Sequence, residues 1–228
     1  TLGNIVHGTL EELYEPLLNR VLHQNDFKGI HQIKDEVLLK YFKKEYKEGD
    51  IDKGQNLLVH HVAKRIVDGV LTRDESTAKN DELIILELEK KYELDFQLDD
   101  YQIKLKGYID RIDSVNGLKR IIDYKTGYAT DIKIKSEKLD EVFADAKHAK
   151  ALQLIFYAHL FLRQEGNQNE KIQLCIYPIK FPKRDLFKLN IDNEDVIEYS
   201  TVENTQEFLE NLIREILNSD LPFEEKLD

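Results

Sequence analysis

The chain has 228 residues, of which 41% are hydrophobic and 34% charged, and its formal net charge is −11. That length supports one substantial core, and the strong negative charge excludes a protein that grips nucleic acid through a broad basic surface. No apolar run approaches the ~18 residues of a membrane span, so no membrane partner is expected.

Cys175 is the single cysteine. It rules out an internal disulfide framework and any cluster made from several cysteines of this chain. With no leader of the secretory type, a reducing, cytoplasmic setting is the expectation. The chain opens at Thr1 and contains no methionine, which reads as a piece excised from something longer. The histidines show no HExxH-type spacing.

Leu10, Leu13, Tyr14, Leu17 and Leu18 recur at helical spacing and predict an amphipathic helix from about Ile5 to His23. Val37, Leu38, Tyr41 and Phe42 mark a second helix, and Leu57, Leu58, Val62, Ile66, Val67 and Val70 a third. Thr72 to Asp81 is polar and reads as a loop. The period then changes to two. Leu86, Leu88, Tyr92, Leu94, Phe96 and Leu98 alternate with charged residues and Gln97, which predicts a long half-buried strand. Asp99-Asp100 is a turn, and Tyr101, Ile103, Leu105 and Ile109 lie on one side of a second strand. A third strand runs from about Leu118 to Lys125. Asp131 to Lys147 reads as a loop with a short helix, and Ala149 to Arg163 as a buried helix. Ile172 to Ile179 and Asp185 to Ile191 are further strands, and Phe208, Leu209, Leu212, Ile213 and Ile216 mark a closing helix. The pattern predicts one α/β domain over 1–228, with a helical arm over 1–80 and an α/β core over 81–228.

Asn116-Gly117 between alternating strands is a hairpin signal, because a type I′ turn needs positive φ at both central positions. That turn fixes a register in which Asp113 faces Arg120, Ile112 faces Ile121, Asp110 faces Asp123 and Tyr108 faces Lys125. Asp113–Arg120 is then an ordinary cross-strand ion pair. Asp110–Asp123 is not, since like charges directly opposite one another are destabilising. A two-residue turn at Asp99-Asp100 would pair Glu93 with Lys106, Asp95 with Lys104 and Glu89 with Asp110, unless a bulge shifts it. Glu89, Asp110, Asp123 and Lys125 should therefore share one patch. A raised carboxylate pKa would relieve the repulsion, and so would a divalent cation, for which oxygen-rich sites suit Mg²⁺ or Mn²⁺. Two lysine-rich clusters, Lys133, Lys135 and Lys138 and then Lys180, Lys183, Arg184 and Lys188, read equally as solvated faces or phosphate contacts.

The run Gly107-Tyr108-Ile109-Asp110-Arg111-Ile112-Asp113, followed by Asp123-Tyr124-Lys125-Thr126-Gly127, resembles the PD-(D/E)XK nuclease superfamily, and within it the RecB/AddB-type exonuclease domains. His7 within Gly3-Asn4-Ile5-Val6-His7, and Gln153-Leu154-Ile155-Phe156-Tyr157, match further motifs of that family. The resemblance covers most of the chain and implies a restriction-endonuclease-like α/β fold, a mixed central sheet flanked by helices with a helical N-terminal arm. It implies a metal-dependent DNA exonuclease acting beside a helicase domain or subunit in recombination or repair, on single-stranded DNA or duplex ends. His7, Asp110, Asp123 and the Tyr124 carbonyl would hold Mg²⁺ or Mn²⁺. Lys125 would orient water or stabilise developing charge, and Gln153 and Tyr157 would orient the lysine or the DNA strand. Glu89 and Tyr108 are weaker candidates. Many relatives of that branch carry a four-cysteine iron–sulfur staple after a Pro-Phe. Here Leu221-Pro222-Phe223 is followed by no cysteine, so no iron–sulfur cluster is expected within this chain. Two other readings stand beside this one: a catalytically silent DNA-binding scaffold, and a hydrolase using Asp110 and Asp123 as a metal-free acid/base pair.

Overall fold

Three helices open the chain: α1 (Leu2–Tyr14), α2 (Gln24–Glu45) and α3 (Gly54–Asn80). The computed structural model describes residues 1–46, 53–125, 132–164, 166–178 and 185–222. α1 stops well short of the predicted His23. Pro16 has no N–H to continue the helical ladder, and a single 3₁₀ turn, Glu15–Leu17, takes over. α3 continues through the stretch predicted to be a loop. Its polar side chains bond back onto the preceding turn, Thr72 Oγ1 to the Asp68 carbonyl at 2.7 Å and Asn80 Nδ2 to that of Ser76 at 2.8 Å. The inward residue of that stretch is the buried Asp74, so apolar periodicity has nothing to register there.

The strands are β1 (Leu83–Leu98), β2 (Tyr101–Val115), β3 (Leu118–Lys125), β4 (Ile132–Ile134), β5 (Ile172–Pro178) and β6 (Phe187–Ile191). They form a six-stranded sheet in the order β1-β2-β3-β5-β6-β4. β2 and β3 are antiparallel and β4 and β6 parallel, so the sheet is mixed, as the family resemblance implies. The other helices are α4 (Leu139–Ala144), α5 (Ala149–Leu162), α6 (Tyr199–Asn204) and α7 (Gln206–Leu217). β4 and α6 are additions to the sequence reading, each too short to show a period. Among the described residues no helix is long and apolar enough to cross a membrane. Gly127, Ile179, Lys180, Lys183, Arg184 and the tail from Phe223 lie outside the described residues.

The Asn116-Gly117 turn has the backbone its sequence demands, with φ of 52° and 84°. Asn116 also anchors it, accepting from the Glu82 N–H at 2.9 Å and donating to Asp81 Oδ1 at 2.8 Å. The register that follows is the predicted one, from Val115↔Leu118 through Asp113↔Arg120 to Arg111↔Ile122.

The chain divides into two compact units. The first comprises Thr1–Lys90, Ile109–Thr130 and Ile176–Phe187; the second comprises Lys91–Tyr108, Asp131–Cys175 and Lys188–Asp228. In the first unit α1, α2 and α3 pack on one another around Ile5, Leu10, Leu13, Phe27, Leu38 and Phe42. α1 and α2 meet closely at Gly8, where an added Cβ would lie 2.3 Å from the Tyr41 ring.

In the second unit the β1–β2 hairpin packs Phe96 and Leu98 against Leu209 and Ile213 of α7. Its turn has positive φ only at Asp99, whose carboxylate takes both an Nε and an Nη2 bond from Arg214, at 2.9 and 3.2 Å. Lys104 lies 3.6 Å from Asp95, while Glu93, expected opposite Lys106, is engaged by Lys91 and Lys104. Gly107 lets α5 approach the strand, since a Cβ there would sit 2.8 Å from Leu160 Cδ1. His159 of α5 is fully buried. Thr205 Oγ1 donates to the Thr201 carbonyl at 2.7 Å, so His159 Nε2, 2.8 Å from that oxygen, carries the ring proton.

Two expectations follow from this packing. Gly8→Ala would gain helix propensity on most helices, yet here the methyl meets a ring, and a net loss of about 1–3 kcal/mol is expected in chemical denaturation. His159 is pushed down to about 3 by burial and by the charge of Arg163. An unfolded histidine titrates near 6.5, so this group's contribution to stability is complete above about 6.5 and is lost as pH falls towards about 3. Melting temperature should fall from pH 7 to pH 4, and His159→Gln should flatten that fall.

Candidate metal centre

β1 does not keep the unbroken alternation that its sequence predicts. Leu83 and Ile85 are buried before Glu89, whereas Tyr92, Phe96 and Leu98 are buried after it, so the inward parity switches. Glu89 sits at the switch with a φ of 45°. A left-handed residue inside a strand is the mark of a bulge, which bends the strand and re-aims a side chain. Here the re-aimed side chain is a carboxylate, and it meets His7 of α1, with Nδ1 to Glu89 Oε1 at 2.9 Å.

Asp110 on β2 comes to the same place, its Oδ1 lying 3.7 Å from His7 Nδ1. One step before it along the β2–β3 register the last ladder pair is Arg111↔Ile122. There a side chain takes over from the ladder, because the Tyr124 N–H donates to Asp110 Oδ2 at 2.7 Å. Asp123 and Lys125 are two apart on β3 and share a face. The Lys125 ammonium lies 3.0 Å from Asp123 Oδ2, with the Asp123 side chain only 3% exposed. The Tyr124 ring, between them in sequence, stands edge-on to His7 with centroids 5.4 Å apart.

The electrostatics are those of crowded anions. Burial is the largest influence on Asp110; the charges of Asp123 and Glu89 add to it, and His7 and the Tyr124 N–H oppose it. The carboxyl is pushed up to about 7. Burial also raises Asp123, and the Lys125 ammonium pulls against that. Burial works against a charged His7, but its bond to Glu89 and the charges of Asp110, Glu89 and Asp123 outweigh it and raise the imidazole above its ordinary value.

This donor set suits a divalent ion. Among the described residues, His7, Glu89 and Asp110 each bring one ligand atom to within 4.8 Å of the other two. Ligands of one octahedral ion at roughly 2.1 Å lie about 3 Å apart when adjacent and about 4 Å apart when opposite, so small rotations would close this group round an ion. One imidazole nitrogen with carboxylate oxygens fits Mn²⁺ well and leaves Mg²⁺ usable.

The remaining sequence candidates divide in two. Tyr124 shows its amide to Asp110 and its ring to His7. Gln153 and Tyr157 belong to the second unit, where Gln153 Nε2 donates to the Tyr157 hydroxyl at 2.7 Å, and Tyr108, also of that unit, is 58% exposed. What sequence reasoning missed is the buried charge cluster of Asp74, Arg111 and Asp113 in the first unit. Asp113 is more than the ordinary cross-strand partner of Arg120, being wholly buried and shared with Arg111. The one sequence signal was three charged residues within a strand that otherwise alternates with isoleucine.

A family model described as the PD-(D/E)XK nuclease superfamily matches residues 1–227. No curated protein matches the chain.

The raised Asp110 pKa has a consequence for the metal-free protein. A carboxyl whose folded pKa exceeds its unfolded value stabilises the fold fully below about 4, and that contribution is lost as pH rises through about 7. Asp110→Asn keeps an acceptor for the Tyr124 N–H and removes the charge. Its metal-free melting temperature should exceed that of wild type at pH 8, with the gap closing towards pH 4.

Proposed function

Because the chain belongs to the PD-(D/E)XK nuclease superfamily, we propose that it is a metal-dependent deoxyribonuclease of the RecB/AddB exonuclease type, hydrolysing DNA phosphodiester bonds beside a helicase in recombination or repair. Superfamily members are generally metal-dependent nucleases, and DNA is the substrate that membership implies. The observation that carries the reading is the convergence of His7, Glu89 and Asp110 from three separate elements, with the Asp123–Lys125 pair on the strand beside Asp110.

In this proposal His7, Glu89, Asp110, Asp123 and the Tyr124 carbonyl hold Mn²⁺ or Mg²⁺. The ion supplies a water acidic enough to ionise near neutral pH and a positive charge for a phosphate oxygen. Asp110 is fixed for this task by the Tyr124 N–H at 2.7 Å, which keeps one carboxylate oxygen occupied and leaves Oδ1 facing His7. Lys125 orients the attacking water or stabilises charge growing on the phosphate, and its ion pair with Asp123 holds the ammonium on the reacting side. Gln153 and Tyr157 orient the DNA strand, a role supported by their match to the family motif and by their mutual hydrogen bond.

The test is digestion of end-labelled linear, circular and single-stranded DNA with Mn²⁺, Mg²⁺ or EDTA. Linear DNA should be degraded with either ion, circular DNA should resist, and EDTA should abolish the reaction. Asp123→Ala and Lys125→Ala should each lose at least about 100-fold in rate with melting transitions still cooperative. Full activity in both variants, or activity that survives EDTA, would end the assignment.

A further inference from the structure

The proposed centre is backed by a charge cluster with no part in it so far. Arg111 is 1% exposed and is the largest side chain in the fully buried set. Its guanidinium lies between two buried carboxylates. Nη1 and Nη2 donate to Asp74 of α3 at 2.6 and 3.3 Å, and Nε donates to Asp113 of β2 at 2.8 Å. Arg120 closes the far side of Asp113 with bonds of 2.7 and 2.9 Å. Tyr14 of α1 donates its hydroxyl to Asp74 Oδ2 at 2.5 Å, and its ring lies 5.6 Å from the Arg111 guanidinium carbon.

Stability alone is a poor reason to bury these charges. Removing ions from water costs several kcal/mol each, and well-packed apolar residues of similar volume commonly do as well or better. What such residues lack is direction. A planar guanidinium with fixed donors holds each partner at one angle and one distance. Apart from Asp74 on α3, the groups tied into this cluster belong to elements that carry the proposed ligands. Tyr14 lies on α1 with His7, Asp113 follows Asp110 on β2, and Arg111 Nη1 reaches the Tyr124 hydroxyl of β3 at 3.5 Å. The Tyr124 ring in turn packs edge-on against His7, and its amide holds Asp110.

We infer that Arg111, clamped by Asp74 and Asp113, is a positioning residue for the metal centre: it registers α1 and Tyr124 against β2 and so fixes where His7 meets Asp110. The inference rests on the proposed centre binding a divalent ion. Arg111 touches neither ion nor substrate; it acts through Tyr124, Tyr14 and the strand backbone.

The experiment is calorimetric titration of the 228-residue chain with Mn²⁺ alone, run beside thermal melting and the Mn²⁺ dependence of DNA degradation. Wild type, Asp110→Asn, Arg111→Lys and Tyr14→Phe are compared. Arg111→Lys and Tyr14→Phe should weaken Mn²⁺ binding about 10- to 100-fold and about 10-fold respectively. The rate should move to higher Mn²⁺ while staying within a few-fold of wild type at saturation. A merely structural role would lower the melting temperature and leave Mn²⁺ affinity as in wild type, and that result in either folded variant overturns the inference. If Arg111→Lys does not fold, Tyr14→Phe, which deletes one hydroxyl, decides alone. Wild type that binds no Mn²⁺ through Asp110 would defeat the centre itself and this inference with it. Normal binding in wild type with unchanged variants would defeat only the positioning role.

Discussion

Like charges brought together by backbone register are the constraint from which the rest of the first unit follows. The Asn116-Gly117 turn leaves β2 and β3 one antiparallel pairing, and that pairing runs Asp110 towards Asp123. The bulge at Glu89 adds a third carboxylate, and α1 brings an imidazole. A surface would disperse such a group into water. Here burial prevents that, and burial first, with the neighbouring carboxylates adding to it, holds the Asp110 and Asp123 carboxyl groups above their ordinary range. A protein keeps such an arrangement at a cost to stability, which is the pattern of a site maintained for something other than folding.

Holding the arrangement needs more than a sheet. His7 lies one residue before Gly8, whose missing side chain leaves room for the Tyr41 ring of α2 against α1. Beneath it the Tyr124 ring, the Arg111 guanidinium and Asp74 form a chain of oriented contacts between β3, β2 and α3. Both devices trade adaptability for fixed geometry. Ligand atoms must agree to within tenths of an ångström, and an interior of freely rotating apolar side chains does not impose that.

How much of this the sequence showed depends on how local each cause is. The hairpin register was legible because Asn-Gly carries its own backbone requirement, and α5 because nearly every residue in it is apolar. The Glu89 bulge was not legible, since in sequence Glu89 is one more charged residue in an alternating run. Its change of direction comes from pairing that no single strand encodes. Thr72 to Asn80 misled for a related reason: its inward residue is Asp74, whose burial depends on Arg111 and Tyr14, both distant along the chain. His7 carried no local signal either. Only its match to a family motif separated it from the other histidines, and its contact with Glu89 depends on the same bulge.

The strong negative charge and the proposed DNA substrate are compatible once the order of events is considered. His7, Glu89, Asp110, Asp123 and Lys125 together carry three carboxylates against one permanent cation and one imidazole. A phosphodiester approaching that group meets net repulsion in a partly buried, weakly screened setting. A divalent ion would cancel that excess locally without altering the surrounding surface. On the proposed reading metal would enter before the phosphate settles, and the acidity that looks like an obstacle to DNA would make binding conditional on the ion. A broadly basic surface would retain DNA with or without metal, whereas an acidic centre of this kind would make attraction at the site depend on the ion.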